Sequence, residues 1–118
     1  MTPQKIIQIV ADEFGVTYMD IISSTRKEPI ATARRVSMYL IRNRLHMKHR
    51  AVIEAVGLTN HASSVHAVES VEEQMAISDT FQNRVLSCEI QVALEQTNEH
   101  ERLIEQYTVA VKRAKELF

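Results

Sequence analysis

The segment VGLTNHASSVHAVESVEE, residues 56–73, decides how the sequence around it is interpreted. It follows KHRAVIEA, residues 48–55, whose apolar spacing predicts a helix of about two turns. Gly57 suits the left-handed conformation that often ends a helix, and Asn60 suits the cap of a following helix. A short helix, a tight turn with a glycine and a second helix together indicate a helix-turn-helix.

The first turns of the second helix carry small polar side chains and imidazoles: His61, Ser63, Ser64 and His66. In a helix-turn-helix that reads DNA, the amino-terminal end of the second helix enters the major groove. Short donors and acceptors can reach base edges there, and the helix amides favour a phosphate. This composition favours a DNA-reading helix. An ordinary capped helix with exposed serines is the alternative.

The composition limits the fold and the compartment. The chain has 118 residues, which is enough for one domain, and contains only two glycines and two prolines. An all-α fold is therefore predicted. Cys88 is the single cysteine, so no disulfide framework is expected. No apolar run has membrane-spanning length and the start of the chain does not resemble a signal peptide, so we expect a soluble, cytoplasmic protein without a membrane partner.

The charge is unevenly distributed along the chain. Residues 26–66 contain eight basic and two acidic residues, whereas residues 67–118 contain five basic and ten acidic residues. Such asymmetry favours a polyanion as the partner of the middle segment. The alternative is a set of ordinary solvated helix faces.

Local signals predict the other helices. Thr2 and Pro3 suit the start of a helix that ends at Gly15. The capping-box pattern of Thr17 and Asp20 predicts a very short helix. The remaining predicted elements are a polar loop, STRKEP, over residues 24–29, a strong helix from residue 30 to about residue 45, and one or two long helices after residue 79.

Two motifs resemble one known family. GLTNHASSVHA, residues 57–67, is similar without a gap to Gly-Gly-Arg-Asp-His-Thr-Thr-Val-x-His-Ala of the carboxy-terminal DNA-binding domain (domain IV) of the bacterial replication initiator DnaA. DIISSTRKEPIATARRVSMYL, residues 20–40, resembles a second motif of that domain, in register with the first. The resemblance implies an all-α domain with a Trp-repressor-like helix-turn-helix in residues 1–88. Residues 89–118 would be a helical extension.

The resemblance also implies roles for individual residues. The positions of the major-groove readers are Asn60, His61, Ala62 and Ser63. Arg26 occupies the place of a loop arginine that inserts into the minor groove. Contacts to the DNA backbone are expected from Lys27, Arg34, Arg35, Arg42, Lys48, Arg50, Thr59, Ser64 and His66.

Several positions depart from the family pattern. Asn60 replaces an aspartate, and an amide favours the hydrogen-bonding edge of adenine. Leu58 and Thr59 replace a glycine and an arginine, and Glu28 stands where a basic residue is common. We therefore expect DNA binding to a site that differs from the initiator's usual box.

The function that the resemblance implies is sequence-specific binding of double-stranded DNA, in transcription regulation or as a modulator of replication initiation. The chain contains no Gly-x-x-x-x-Gly-Lys-Ser/Thr segment, so we expect no nucleotide, no cofactor and no enzymatic activity. The histidine pairs lack further ligands at suitable spacing, so no metal site is predicted. One alternative is a protein-interaction module that uses the acidic carboxy-terminal helix. Another is a domain excised from a longer initiator.

The end of the chain carries an apolar stripe: Ile104, Tyr107, Val111, Ala114 and Phe118. A helix that exposed this stripe would be marginal in water. Residues 89–118 are therefore expected to form a homodimer, dock a protein partner or fold back onto the domain. The polar run over residues 95–102 interrupts the pattern, so contact is expected near the end of the chain.

Overall fold

The computed structural model describes residues 1–117, and the regular structure in this range is entirely helical. The helices are α1 (Pro3–Phe14), α2 (Tyr18–Ile21), α3 (Ile30–Leu45), α4 (His49–Ala55), α5 (Ala62–Ile77) and α6 (Asp79–Leu117). The predicted all-α class is confirmed. None of the helices in residues 1–117 is sufficiently long and apolar to cross a membrane.

The predicted caps set the helix boundaries. Thr2 accepts a hydrogen bond from the Lys5 amide at the start of α1, and Gly15 ends the helix with φ 68°. Thr17 and Asp20 form the reciprocal bonds of a capping box around α2. Local sequence predicted these boundaries because a cap depends on residues within one turn of it.

The long helix α3 lies at the centre of the domain and packs against each of the other five helices. Its buried side chains are Ala31, Ala33, Arg34, Val36, Ser37, Met38, Leu40 and Ile41. The core is completed by apolar residues from α1, α4, α5 and α6. This central position explains why α3 buries far more of its circumference than one stripe would.

The structure makes α6 one continuous helix that packs beyond residue 88. Val92 is fully buried in the core, and the Arg44 guanidinium donates to the Gln96 side-chain oxygen at 2.9 Å. Lys5 donates to Glu95 at 3.2 Å. The packed part of α6 thus includes the apolar Val92 and the polar residues Glu95 and Gln96, which lie beyond residue 88.

Residues 100–117, which we call distal α6, are exposed along their whole length. They continue the direction of α6 and contribute to a molecule that measures 61 × 31 × 23 Å. The expected fold-back onto the domain is not the arrangement in this structure. Phe118, the last residue of the predicted stripe, lies outside the described residues.

Candidate DNA-binding interface

The turn between α4 and α5 requires glycine for two reasons. The Leu58 amide donates to the Ile53 carbonyl at 2.8 Å and the Gly57 amide donates to the Glu54 carbonyl at 3.1 Å, the bonds of a Schellman motif. Gly57 has φ 77°, which suits glycine. A Cβ atom there would lie 2.7 Å from the Ile22 carbonyl oxygen. The absence of a side chain at Gly57 thus allows the turn to lie close to the end of α2.

Asn60 caps the start of α5, as its position in the sequence predicts. Its side-chain oxygen accepts from the Ala62 amide at 3.0 Å, and its carbonyl accepts from the Ser63 amide at 3.0 Å. His61, the residue directly before the helix, has helical φ and ψ and makes no side-chain capping bond. The Asn60 oxygen is therefore engaged, and its amide nitrogen is the group with which it could contact a base.

The four predicted major-groove residues lie together at this helix start. Asn60, His61 and Ala62 are exposed, and Ser63 is half-buried. The exposed Thr59 precedes them. The arrangement presents a short edge of amide, imidazole and methyl groups to solvent.

Ser64, predicted to contact the DNA backbone, is instead fully buried. Its hydroxyl lies 2.8 Å from Nδ1 of His49, and the His49 ring meets the His61 ring edge to face with 5.7 Å between centroids. Burial, followed by the charges of Arg42 and His61, lowers the pKa of His49. Ser64 thus joins α5 to α4, so the prediction for this residue is corrected. The sequence did not predict this role of His49, because no local signal joins positions 49 and 64.

Arg34, also predicted to contact the DNA backbone, is 7% exposed and serves a structural role. Its guanidinium donates to the carbonyls of Ile21 at 2.7 Å, Thr25 at 2.7 Å and Asp20 at 3.3 Å. These bonds hold the end of α2 and the loop after it. Arg26, the predicted minor-groove residue, lies in this loop and is exposed together with Lys27.

Arg35 points toward the same loop and is paired with an acidic residue. It donates to Glu28 at 3.2 Å and to the Thr32 hydroxyl at 3.0 Å, and its Nε atom is buried without a partner among the described residues. Glu28 also accepts from the Thr32 hydroxyl and amide, and these bonds, the hydroxyl's first, lower the pKa of Glu28. Glu28 is therefore a carboxylate at neutral pH beside the exposed loop cations.

The other predicted backbone contacts lie on three elements. Arg42 is half-buried and donates to the Met47 carbonyl, which ties α3 to the connection before α4. Lys48 and Arg50 are exposed at the start of α4. His66 is exposed on α5, with its Nδ1 atom 4.0 Å from Glu69. Arg42, Lys48 and Arg50 thus precede the exposed start of α5 in the chain, and His66 follows it.

A cleft of about 510 Å³ separates the loop and α3 from α5. Its walls bring together five predicted contact residues from separate elements, namely Arg26, Arg34, Arg35, Ser63 and His66. Glu28 and Leu58 also line it. A cationic loop on one wall and the first turns of the second helix on the other can engage a polyanion along two lines.

The residues that build this interface also match a known protein family. Residues 3–71 match the family model described as the bacterial dnaA protein helix-turn-helix, and this range contains the loop, α3, the turn and the start of α5. It spans more than half of the chain.

Several chromosomal replication initiator proteins DnaA are similar to this chain. The protein of Thermomicrobium roseum is 26% identical over 87 residues, which are 74% of this chain and 19% of that protein. The protein of Bdellovibrio bacteriovorus is 34% identical over 73 residues, 62% of this chain and 16% of that protein. The protein of Gloeobacter violaceus is 30% identical over 86 residues, 73% of this chain and 19% of that protein. This chain spans only about a fifth of the length of such relatives. Its match to the family model, over the residues that build the turn and the cleft, makes it a member of the bacterial DnaA helix-turn-helix family.

Proposed function

We propose that this protein binds double-stranded DNA sequence-specifically in the cytoplasm, without enzymatic activity, as a transcription regulator or a modulator of replication initiation. The observation that carries the proposal is the cleft in which Arg26 and Arg35 face Ser63 and His66. A loop cation can enter the minor groove while the start of α5 lies in the adjacent major groove. Membership of the family supports DNA as the polyanion.

The proposed roles follow the exposure of each side chain. Asn60, His61, Ala62 and Ser63 read the major groove, and Arg26 enters the minor groove. The DNA backbone is contacted by exposed or half-buried residues: Lys27, Arg35, Arg42, Lys48, Arg50, Thr59 and His66. Arg34 and Ser64 support these residues from inside the domain.

Substitutions at the start of α5 can separate contacts to the bases from contacts to the DNA backbone. A preferred duplex is first selected from random fragments, and affinity is then measured by fluorescence anisotropy on that duplex and on a random one. Asn60→Ala or His61→Ala should cost about 1–3 kcal/mol on the preferred duplex and much less on the random one. Asn98→Ala, an exposed position on α6, is the control. Equal losses on both duplexes would show that α5 does not face the bases.

The salt dependence of affinity tests the backbone contacts. Affinity should fall steeply as salt concentration rises, and Arg42→Ala should weaken binding to all duplexes about equally. Arg26→Ala should chiefly remove a preference for A·T-rich flanking sequence, because the minor groove distinguishes little else. Absence of duplex binding even at low salt would end the DNA proposal.

The exposed distal α6 favours a second candidate, a protein-interaction module. Residues 89–118 would then contact a protein partner or a second copy, with the domain as a scaffold. Several large apolar side chains in this region are exposed, among them Leu103 at 64% and Tyr107 at 72%. Tyr107→Glu should leave DNA affinity for a single site unchanged if this region acts separately from the cleft. A chain that binds no duplex but self-associates or captures a protein would favour this candidate.

A further inference from the structure

A second, mostly apolar stripe runs along a largely exposed side of α6, with Ala93 half-buried. Its positions alternate in steps of four and three residues, the spacing of the a and d positions of a coiled coil. They are Leu86, Ile90, Ala93, Thr97, His100, Ile104, Tyr107, Val111 and Ala114, which we call the outer stripe. Ile90 is 59% exposed and Tyr107 72%, whereas Val85 and Val92 on the core side are fully buried. Thr97 and His100 keep the spacing through the polar run, so the pattern is longer than the residues near the chain end.

The outer-stripe side chains are complementary in size when two copies of α6 pair in antiparallel orientation. In an antiparallel pair centred on Arg102, each small side chain faces a larger one. The layers are His100 with Ile104, Thr97 with Tyr107, Ala93 with Val111 and Ile90 with Ala114, each from opposite copies. A parallel pair would instead place Ala93 against Ala93 and Tyr107 against Tyr107, which alternates gaps with crowding.

The charges of the same segment are also complementary between two antiparallel copies. Residues 86–101 contain four acidic residues and no lysine or arginine. Residues 102–117 contain four basic and two acidic residues. An antiparallel pair brings the acidic half of one copy beside the basic half of the other, whereas a parallel pair brings like charges together. Glu95 and Glu99 already pair with Lys5 and the amino terminus of the same chain, so Glu89 and Glu101 are left to face the basic half. Size selects the centre, and size and charge select the same direction.

We infer that residues 86–117 form an antiparallel two-helix coiled coil with a second copy of this chain, centred on Arg102. The inference identifies the partner of the protein-contact surface proposed above and does not require DNA binding. The coiled coil would cover the exposed apolar side chains on and beside the outer stripe, including Leu94 and Leu103, which flank it. The two domains would lie at opposite ends of the paired helices.

Sedimentation velocity of the full chain without DNA tests the association. The wild type should sediment as a dimer at micromolar concentration. Ile104→Glu and Tyr107→Glu should each raise the dissociation constant by about tenfold or more, because they place a charge in the seam. Val109→Glu is the matched control, since Val109 is 47% exposed on the same helix but lies off the outer stripe. A monomeric wild type, or equal effects of Val109→Glu and Tyr107→Glu, would overturn the inference.

Disulfide formation tests the direction and the centre. In the proposed pair, Leu103 flanks the centre and meets Leu103 of the second copy, whereas the two copies of Tyr107 lie about 15 Å apart along the axis. Leu103→Cys should therefore form a covalent dimer under mild oxidation, and Tyr107→Cys should not. Cys88 is buried and its pKa is raised to about 12, so the wild type is the control for background oxidation.

The reverse result, a covalent dimer from Tyr107→Cys and none from Leu103→Cys, would show a parallel pair and overturn the inference. Folding of each variant is checked by its helical circular dichroism. A monomer that still binds duplex would reject only the self-association. A dimer that binds no duplex would reject only the DNA proposal.

Discussion

The cleft region comprises the loop over residues 24–29, α3, the turn and the start of α5. Polar and apolar side chains have opposite roles in this region and in distal α6. In the cleft region the polar side chains of Arg34 and Ser64 are buried and hold elements together. In distal α6 the apolar side chains of Leu103 and Tyr107 are mostly exposed. The difference shows that packing, and not residue class, decides which side chains are buried here. Substitutions of these buried polar residues should change the free energy of unfolding, and those in distal α6 should change association.

The largest difference between the two regions is expected from removing Arg34. Arg34→Met should lower the free energy of unfolding by about 3–5 kcal/mol, because three carbonyl groups lose a charged donor. Arg113→Met in distal α6 makes the same change at an exposed position and should alter it by about 0.5 kcal/mol or less. Urea denaturation followed by circular dichroism measures both values. A loss for Arg34→Met as small as that of Arg113→Met would mean that water replaces the guanidinium at no cost.

The glycine of the turn should show the next largest effect. Gly57→Ala should cost about 2–3 kcal/mol of unfolding free energy, since it adds a close contact with the Ile22 carbonyl to the strain of positive φ. Gly15→Ala has φ 68° but open space around the new methyl group, and should cost about 1 kcal/mol. The same denaturation experiment compares them. Equal costs would show that the turn moves away from α2 without penalty.

The sequence was sufficient for those features that depend on neighbouring residues. Asn60 and Gly57 identified the turn, and the pattern after Asp79 indicated one or two long helices, of which the structure has one. Each of these signals acts within about one helical turn, so one sequence contains the whole cause. The role of the apolar stripe over residues 104–114 as a contact surface stays a prediction, because distal α6 is exposed on all sides.

The sequence could not separate Arg34 from Arg35, because neighbouring helical residues point in different directions and the packing partners are distant in the chain. Arg34 meets the end of α2, whereas Arg35 meets Glu28. Ser64 presents the same difficulty, since its partner His49 lies on another helix. The bond between Arg44 and Gln96 is a further example, because a polar residue gives no periodic signal of contact.

The junction of α4 and α5 predicts a dependence of stability on pH that distal α6 should lack. The pKa of His49 is lowered in the folded chain relative to about 6.5 for an ordinary histidine, so the unfolded chain binds the proton more readily. This contribution to stability is fully present above about pH 6.5 and is lost as the pH falls toward the folded pKa. Denaturation midpoints between about pH 7.5 and pH 5 measure it.

The histidine variants separate the two regions in that pH experiment. His49→Asn keeps an acceptor near the Ser64 hydroxyl without titrating, and should flatten this part of the pH dependence. His100→Asn, at an exposed position of α6, should leave it unchanged. An unaltered profile for His49→Asn would assign the acid sensitivity to other groups.

The smallest expected effect concerns Glu28, the acidic residue in the cleft. It lies beside the loop cations and accepts from Arg35, so it offsets part of the positive charge that a DNA backbone would meet. Glu28→Gln should raise duplex affinity about twofold to threefold, roughly 0.5 kcal/mol, by removing one negative charge and releasing Arg35. The gain should be larger at low salt, because the released arginine adds to the counterions displaced on binding. Glu105→Gln removes the same charge from exposed distal α6 and should leave the affinity unchanged. Anisotropy titrations at several salt concentrations compare the two variants. If Glu28→Gln also leaves affinity and salt dependence unchanged, the loop does not approach the phosphates, and the backbone contacts must come from Arg42, Lys48, Arg50 and the first turns of α5 with the residue before them.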